Sequence, residues 1–255
     1  MRRRAVLIIS VIVTAAVVIV AAVTVKSRSA RAKVSTGSKP IHVVLIGASI
    51  GQGWQLTAWA TRAGIPGYTA EAIAAWQFDK TEALDEVLMR PARKFRPTRT
   101  YLRSLFQPRP TRPDILILKE CSSYFPGGLE GYKASIQRWT KRARADNFKV
   151  ILATVVPVTK SRSAQVPGKQ EQLLEYNRWI RQYAREQGLP VLDLEAALRE
   201  NTEAAYLRDE YNSGDGTHLN AGAYAVLDGT LRTLLCGMVL AQGCDSRAEP
   251  AAASN

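Results

Sequence analysis

The sequence predicts an α/β fold: a three-layer α/β/α sandwich around a parallel, five-stranded sheet. Three observations predict it. Short, near-continuous apolar runs recur along the chain, as strands covered on both faces require. Segments with apolar residues at helical spacing separate them, and that alternation implies crossover connections. The composition, 46% hydrophobic and 22% charged, belongs to a globular chain.

The elements follow in order. Ile41 to Ile46 is strongly β-prone and forms the first strand. Glu71 to Phe78 is the expected second strand, weakened by its alanines. Asp114 to Lys119 is the third, launched after Pro113. Lys149 to Val156 is the fourth and stops at Pro157; Pro190 to Leu194 is a short fifth. Thr81 to Met89, Leu129 to Asp146 and Gln170 to Gln187 carry helical periodicity, and Gly188-Leu189-Pro190 ends the last of them. Glu195 to Arg199 and Ala221 to Leu240 complete the helices.

The flanks divide the chain further. Residues 1–4 are a basic flank, and Ala5 to Val25 is an apolar stretch of about 21 residues. That length crosses a bilayer core and favours an uncleaved transmembrane anchor over a signal peptide, whose apolar region is shorter. Lys26 to Pro40 reads as a linker, 41–244 as the folded domain and 245–255 as a disordered tail. Arg2, Arg3 and Arg4 favour an extracytoplasmic domain, secreted if the segment is cleaved. Lys26, Arg28, Arg31 and Lys33 put positive charge on the far side as well.

The net charge of +13 favours anionic surroundings. No nucleic-acid recognition motif accompanies it, so no nucleic-acid partner is expected. Arg90 to Arg112 is a basic connection with interleaved aromatics; a solvated surface is the simpler interpretation, contact with lipid headgroups or an acidic glycan the other. Cys236 and Cys244 suit a small disulfide clip or two reduced thiols, with Cys121 left over. No spacing suggests a metal site.

In a parallel sheet, sites form beyond the C-terminal strand ends. Ser49 follows the first strand in Gly47-Ala48-Ser49-Ile50-Gly51, and Asp79 follows the second. Glu120, Cys121 and Ser122 follow the third, and Asp215-Gly216-Thr217-His218 precedes the last helix. A serine hydroxyl needs a base, and an imidazole needs an acceptor on its other nitrogen. Ser49, His218 and Asp215 are those three groups. His42 starts the first strand at its opposite end and is read as structural.

These residues resemble the SGNH, or GDSL-like, hydrolase superfamily. Gly47-Ala48-Ser49-Ile50 is similar to its first block, Gly-Asp-Ser-Leu, and Asp215-Gly216-Thr217-His218 to its Asp-x-x-His block. Tyr176-Asn177 and Val191-Leu192-Asp193 also look like that family. The resemblance implies a flavodoxin-like sandwich and serine ester hydrolysis with no cofactor and no metal. It also implies further oxyanion donors after the second and third strands. There this chain has Gln77-Phe78-Asp79-Lys80 without the family's glycine, and Glu120-Cys121-Ser122 without its asparagine. The oxyanion or substrate-binding candidates are therefore Phe78, Asp79, Glu120, Cys121 and Ser122. A carboxylate accepts but does not donate, so Glu120 is tolerable beside an oxyanion only if protonated or paired, with Lys80 or Lys119 as the partner. The expected function is a membrane-anchored or exported esterase or deacylase acting on an O-acyl group of an envelope glycan or lipid. The alternatives are a catalytically weak envelope-binding module and an O-acyltransferase.

Overall fold

The computed structural model describes residues 40–91, 111–120, 125–201 and 205–238. The chain divides into two units, Met1–Ser38 and Lys39–Asn255. The first, with the expected anchor, lies outside the described residues, as do most of the linker, most of the basic connection and the expected tail. Among the described residues no helix is long and apolar enough to cross a membrane.

Five strands form one parallel sheet: β1 (Ile41–Gly47), β2 (Tyr68–Ala74), β3 (Ile115–Leu118), β4 (Lys149–Ala153) and β5 (Val191–Leu192). Their order is β2-β1-β3-β4-β5. Every neighbouring pair is parallel, so all five C-terminal ends share one edge. The helices are α1 (Ser49–Gly53), α2 (Trp59–Arg62), α3 (Thr81–Leu88), α4 (Gly128–Ala145), α5 (Lys160–Gln165), α6 (Lys169–Gln187), α7 (Leu194–Leu198) and α8 (Ala221–Met238).

The two-residue period of a strand builds two cores. Val43, Leu45, Ile115, Ile117 and Ile151 face one way, onto Trp54, Trp59, Leu227 and Leu231 of the α1, α2 and α8 side. Val44, Ile46, Leu116, Leu118, Val150 and Leu152 face the other, onto Leu84, Ile136, Trp139 and Ile180 of α3, α4 and α6. The helices answer with their own period: Tyr132, Ile136, Trp139 and Ala143 of α4 are buried at three- and four-residue steps, as are Leu173, Tyr176, Ile180 and Ala184 of α6.

The second strand differs from expectation. It begins at Tyr68 and ends at Ala74, rather than running from Glu71 to Phe78. Register decides this: Ile41 pairs with Tyr68 and Gly47 with Ala74, so the partner strand runs out before Trp76. Small alanines are tolerated because pairing with β1 supplies the stabilisation that propensity does not.

Candidate active site

Ser49 opens α1 one residue beyond β1. The first-turn N–H groups of a helix have no intrahelical acceptor, so this turn presents donors beside the hydroxyl. The site histidine is held differently. The strand-like bridge Asn212–Leu219 closes the neck of its loop, with Ser213 N–H donating to the His218 carbonyl at 2.9 Å. Asn212 Oδ1 accepts from the N–H groups of Gly214 at 3.0 Å and Gly216 at 2.8 Å. Asn220 caps α8 through Ala223 N–H at 3.1 Å and donates to the Glu210 carbonyl at 2.7 Å.

Inside this loop Asp215 and His218 are paired. Asp215 Oδ2 contacts His218 Nδ1, and Oδ1 accepts from the backbone N–H groups of His218 and Thr217, each at 2.8 Å. The His218 N–H and imidazole, with Thr217 N–H behind them, hold the Asp215 carboxyl well below the usual carboxylate range. Both side chains are about half exposed, 46% for His218 and 52% for Asp215. Among the described residues nothing hydrogen-bonds His218 Nε2 or the Ser49 hydroxyl, so the link between these two groups is not closed in this structure.

Two contacts bring the serine and histidine elements to the same edge. A Cβ on Gly53, at the end of α1, would lie 2.3 Å from the Tyr224 hydroxyl in the first turn of α8. The serine helix thus lies directly against the helix that the histidine loop feeds, and a side chain at Gly53 would have to displace the Tyr224 ring. Beyond β4, Thr159 N–H donates to the Gly216 carbonyl at 3.0 Å. Gly216 has φ +75°, and a Cβ there would clash with Thr159 and Arg162.

A network missed at the sequence level fixes α1 to α8. Asp228, buried on α8, accepts from Trp54 Nε1 at 2.7 Å and from Arg62 Nε at 2.6 Å and Nη2 at 3.0 Å. Arg62 also donates to the carbonyls of Trp54 at 3.1 Å and Gln55 at 3.2 Å, and Trp59 Nε1 donates to the Asp228 carbonyl at 3.2 Å. The one sequence signal was a lone aspartate inside an apolar helix.

The remaining candidates separate. The Asp79 carboxylate opens α3: it accepts from Thr81 N–H at 3.0 Å and Oγ1 at 2.5 Å, and from Trp139 Nε1 at 3.2 Å. Its side chain is thus occupied in structure, leaving its backbone N–H as the group on offer. Phe78 packs edge-on to Phe125 and is partly exposed. Glu120 is buried and forms an ion pair with Lys80 at 2.9 Å, one of the two partners expected; the contact falls short of hydrogen-bond geometry. Cys121 and Ser122 lie outside the described residues. Cys236 is disulfide-bonded, while Cys121 and Cys244 both lie outside the described residues. His42 is structural: Nδ1 meets Thr69 Oγ1 at 3.0 Å and Nε2 meets Glu71 at 3.2 Å, at the far end of β1 from Ser49. Asn177, buried on α6, grips the Val155 N–H at 2.7 Å and carbonyl at 2.8 Å, fixing the chain as it leaves β4. Among the described residues no cluster of metal-ligating side chains occurs.

Solved structures share this fold. A GDSL-like lipase from Bacteroides thetaiotaomicron superposes with TM-score 0.56 at 16% identity, covering 80% of this chain and 94% of its own. A lipase/acylhydrolase from Enterococcus faecalis gives 0.53 at 16%, covering 78% and 96%. An acetyl xylan esterase gives 0.52 at 16%, covering 76% and 98%. No curated relative matches by sequence. The GDSL-like lipase/acylhydrolase family matches residues 45–226, from within β1 into α8. A match of that extent, on this sheet order, establishes that the chain belongs to the GDSL-like lipase/acylhydrolase family and is a serine ester hydrolase by kind.

Proposed function

We infer that the chain cleaves an O-acyl ester through an acyl-serine at Ser49. The Asp215–His218 contact carries the inference, because it holds Nδ1 and leaves Nε2 to act as base. Ser49 Oγ attacks the ester carbonyl and its proton passes to Nε2. The carbonyl oxygen becomes an oxyanion, facing the N–H of Ser49 and a backbone N–H near Phe78 or Asp79. The intermediate collapses, the C–O bond breaks and the alcohol leaves with the proton from His218. Water then attacks the acyl-serine, gives its proton to His218 and releases the acid, with the proton returned to Ser49. Asp215 stays ionised throughout, in keeping with its lowered pKa.

The N-terminal apolar stretch after three arginines supports an anchored, extracytoplasmic enzyme. Such a location makes O-acyl groups on an envelope glycan or lipid the substrate class. A sugar hydroxyl in place of water would make the same steps an acyl transfer. One observation favours a different class: the Ser49 hydroxyl makes no hydrogen bond among the described residues, as in a weakly catalytic module that only binds an envelope polymer.

Fluorophosphonate labelling of the purified chain separates the two. Hydrolysis requires labelling that Ser49→Ala and His218→Ala abolish. Labelling that survives either change refutes the site, and an unlabelled wild-type chain favours the binding module.

A further inference from the structure

Four of the five tryptophans are committed to the fold. Trp54 and Trp59 bond to Asp228, Trp139 bonds to Asp79 and Thr81, and Trp179 stacks on Tyr183. Trp76 is different. Its side chain is 64% exposed and has no partner among the described residues.

A single exposed apolar residue is ordinary on a protein surface. The placement of this one is not. β2 has just ended, and Ala75 N–H donates to the Gly47 carbonyl at 2.7 Å, two residues before Ser49. The backbone carrying Trp76 therefore leaves β2 beside the end of β1 that leads into the serine turn, with the indole exposed. The carbonyls of the residues before and after it are held by one buried ammonium. Lys80 Nζ donates to the carbonyls of Ala75 at 3.2 Å and Gln77 at 3.0 Å, and pairs with Glu120 at 2.9 Å. Lys80 and Glu120 are only 3% and 1% exposed. A buried ion pair adds little net stability compared with an apolar filling. This one grips the backbone on both sides of an otherwise unsupported indole and so presents it rigidly.

The occupant follows from the surroundings. The other exposed large apolar side chains among the described residues are Phe78, Met89 and Val166. Met89 caps the end of α3 and Val166 the end of α5, so only Phe78 shares the turn with Trp76. An acyl chain needs an enclosed apolar groove. An indole face exposed among the described residues, with no apolar groove described beside it, suits a ligand that is apolar on one face and hydroxylated around its rim, as a sugar ring is. We propose that Trp76 is a specificity-determining residue whose indole stacks on the sugar ring bearing the ester that Ser49 attacks. This rests on the assignment of Ser49 as the nucleophile.

The test uses the full-length chain. Binding of an O-acetylated disaccharide is measured by calorimetry on Ser49→Ala, which cannot turn it over, and on Ser49→Ala with Trp76→Ala or Trp76→Phe. Loss of the stacking face weakens binding about three- to tenfold, and phenylalanine recovers part of it. With Ser49 intact, Trp76→Ala lowers the selectivity for the sugar ester over p-nitrophenyl acetate by a similar factor, the change residing in KM. Unaltered disaccharide binding overturns the proposal, as does failure of Ser49→Ala to bind the disaccharide at all. An equal loss on p-nitrophenyl octanoate also overturns it, because Trp76 would then contact the acyl chain. A chain that hydrolyses neither ester, yet keeps the binding difference, removes the nucleophile assignment and retains the sugar platform.

Discussion

Asp215 gathers two backbone N–H groups and an imidazole on one carboxylate. Its pKa is held below the ordinary value of 3.8, so the native state favours the ionised form. Stability from these contacts is therefore fully present above the ordinary aspartate range and is lost as pH falls through the depressed value. Because the side chain is half exposed, the contribution is small. The melting-temperature gap between wild type and Asp215→Asn is expected to narrow as pH falls below 3.8. Catalysis is more sensitive: Asp215→Asn disturbs the tautomer and should lower kcat by a factor on the order of 10² to 10⁴ in ester assays. Asp215 and His218 were legible from their three-residue spacing. Asn212 and Asn220, which shape the loop, were not. They act on backbone groups, and asparagines of that kind occur in any loop.

The elements that carry the site are tied together by side chains that do no chemistry. Asp228 of α8 binds Trp54 at the end of α1 and clamps Arg62. Asp228→Ala strips a buried indole N–H of its acceptor and releases a partly exposed guanidinium. A loss of about 2 kcal/mol is expected in denaturant unfolding. Asp228→Asn keeps an acceptor for Trp54 and should recover part of that loss. The long helices and the apolar strands were legible because their periods repeat several times. Ser49–Gly53, Trp59–Arg62 and Lys160–Gln165 were not, since four to six residues show too little of a helical repeat, and the equally short Leu194–Leu198 was legible from its place directly after the fifth strand. The second strand was misplaced because Trp76 and Phe78 look β-prone, whereas its true limits are set by β1, a long-range partner.

Across the whole molecule, a parallel sheet with its strand ends on one edge collects a serine, a histidine loop and a buried ion pair from distant parts of the sequence. The parallel sheet and its common edge were legible from strand–helix alternation; the order of strands was not, because long-range pairing sets it. The partner of Glu120 was narrowed to Lys80 or Lys119, and only packing chose Lys80. Lys80→Met leaves Glu120 buried without this cation and should cost about 3 kcal/mol in denaturant unfolding. Pairing it with Glu120→Leu should restore much of that stability, since an apolar pair can replace a buried ion pair. The esterase mechanism makes its most direct statement about a covalent bond. Peptide mass spectrometry of the chain, quenched during turnover of p-nitrophenyl acetate, should find an acetyl group on the peptide containing Ser49, and none on the Ser49→Ala chain. An adduct on another residue, or turnover undiminished in Ser49→Ala, would contradict it.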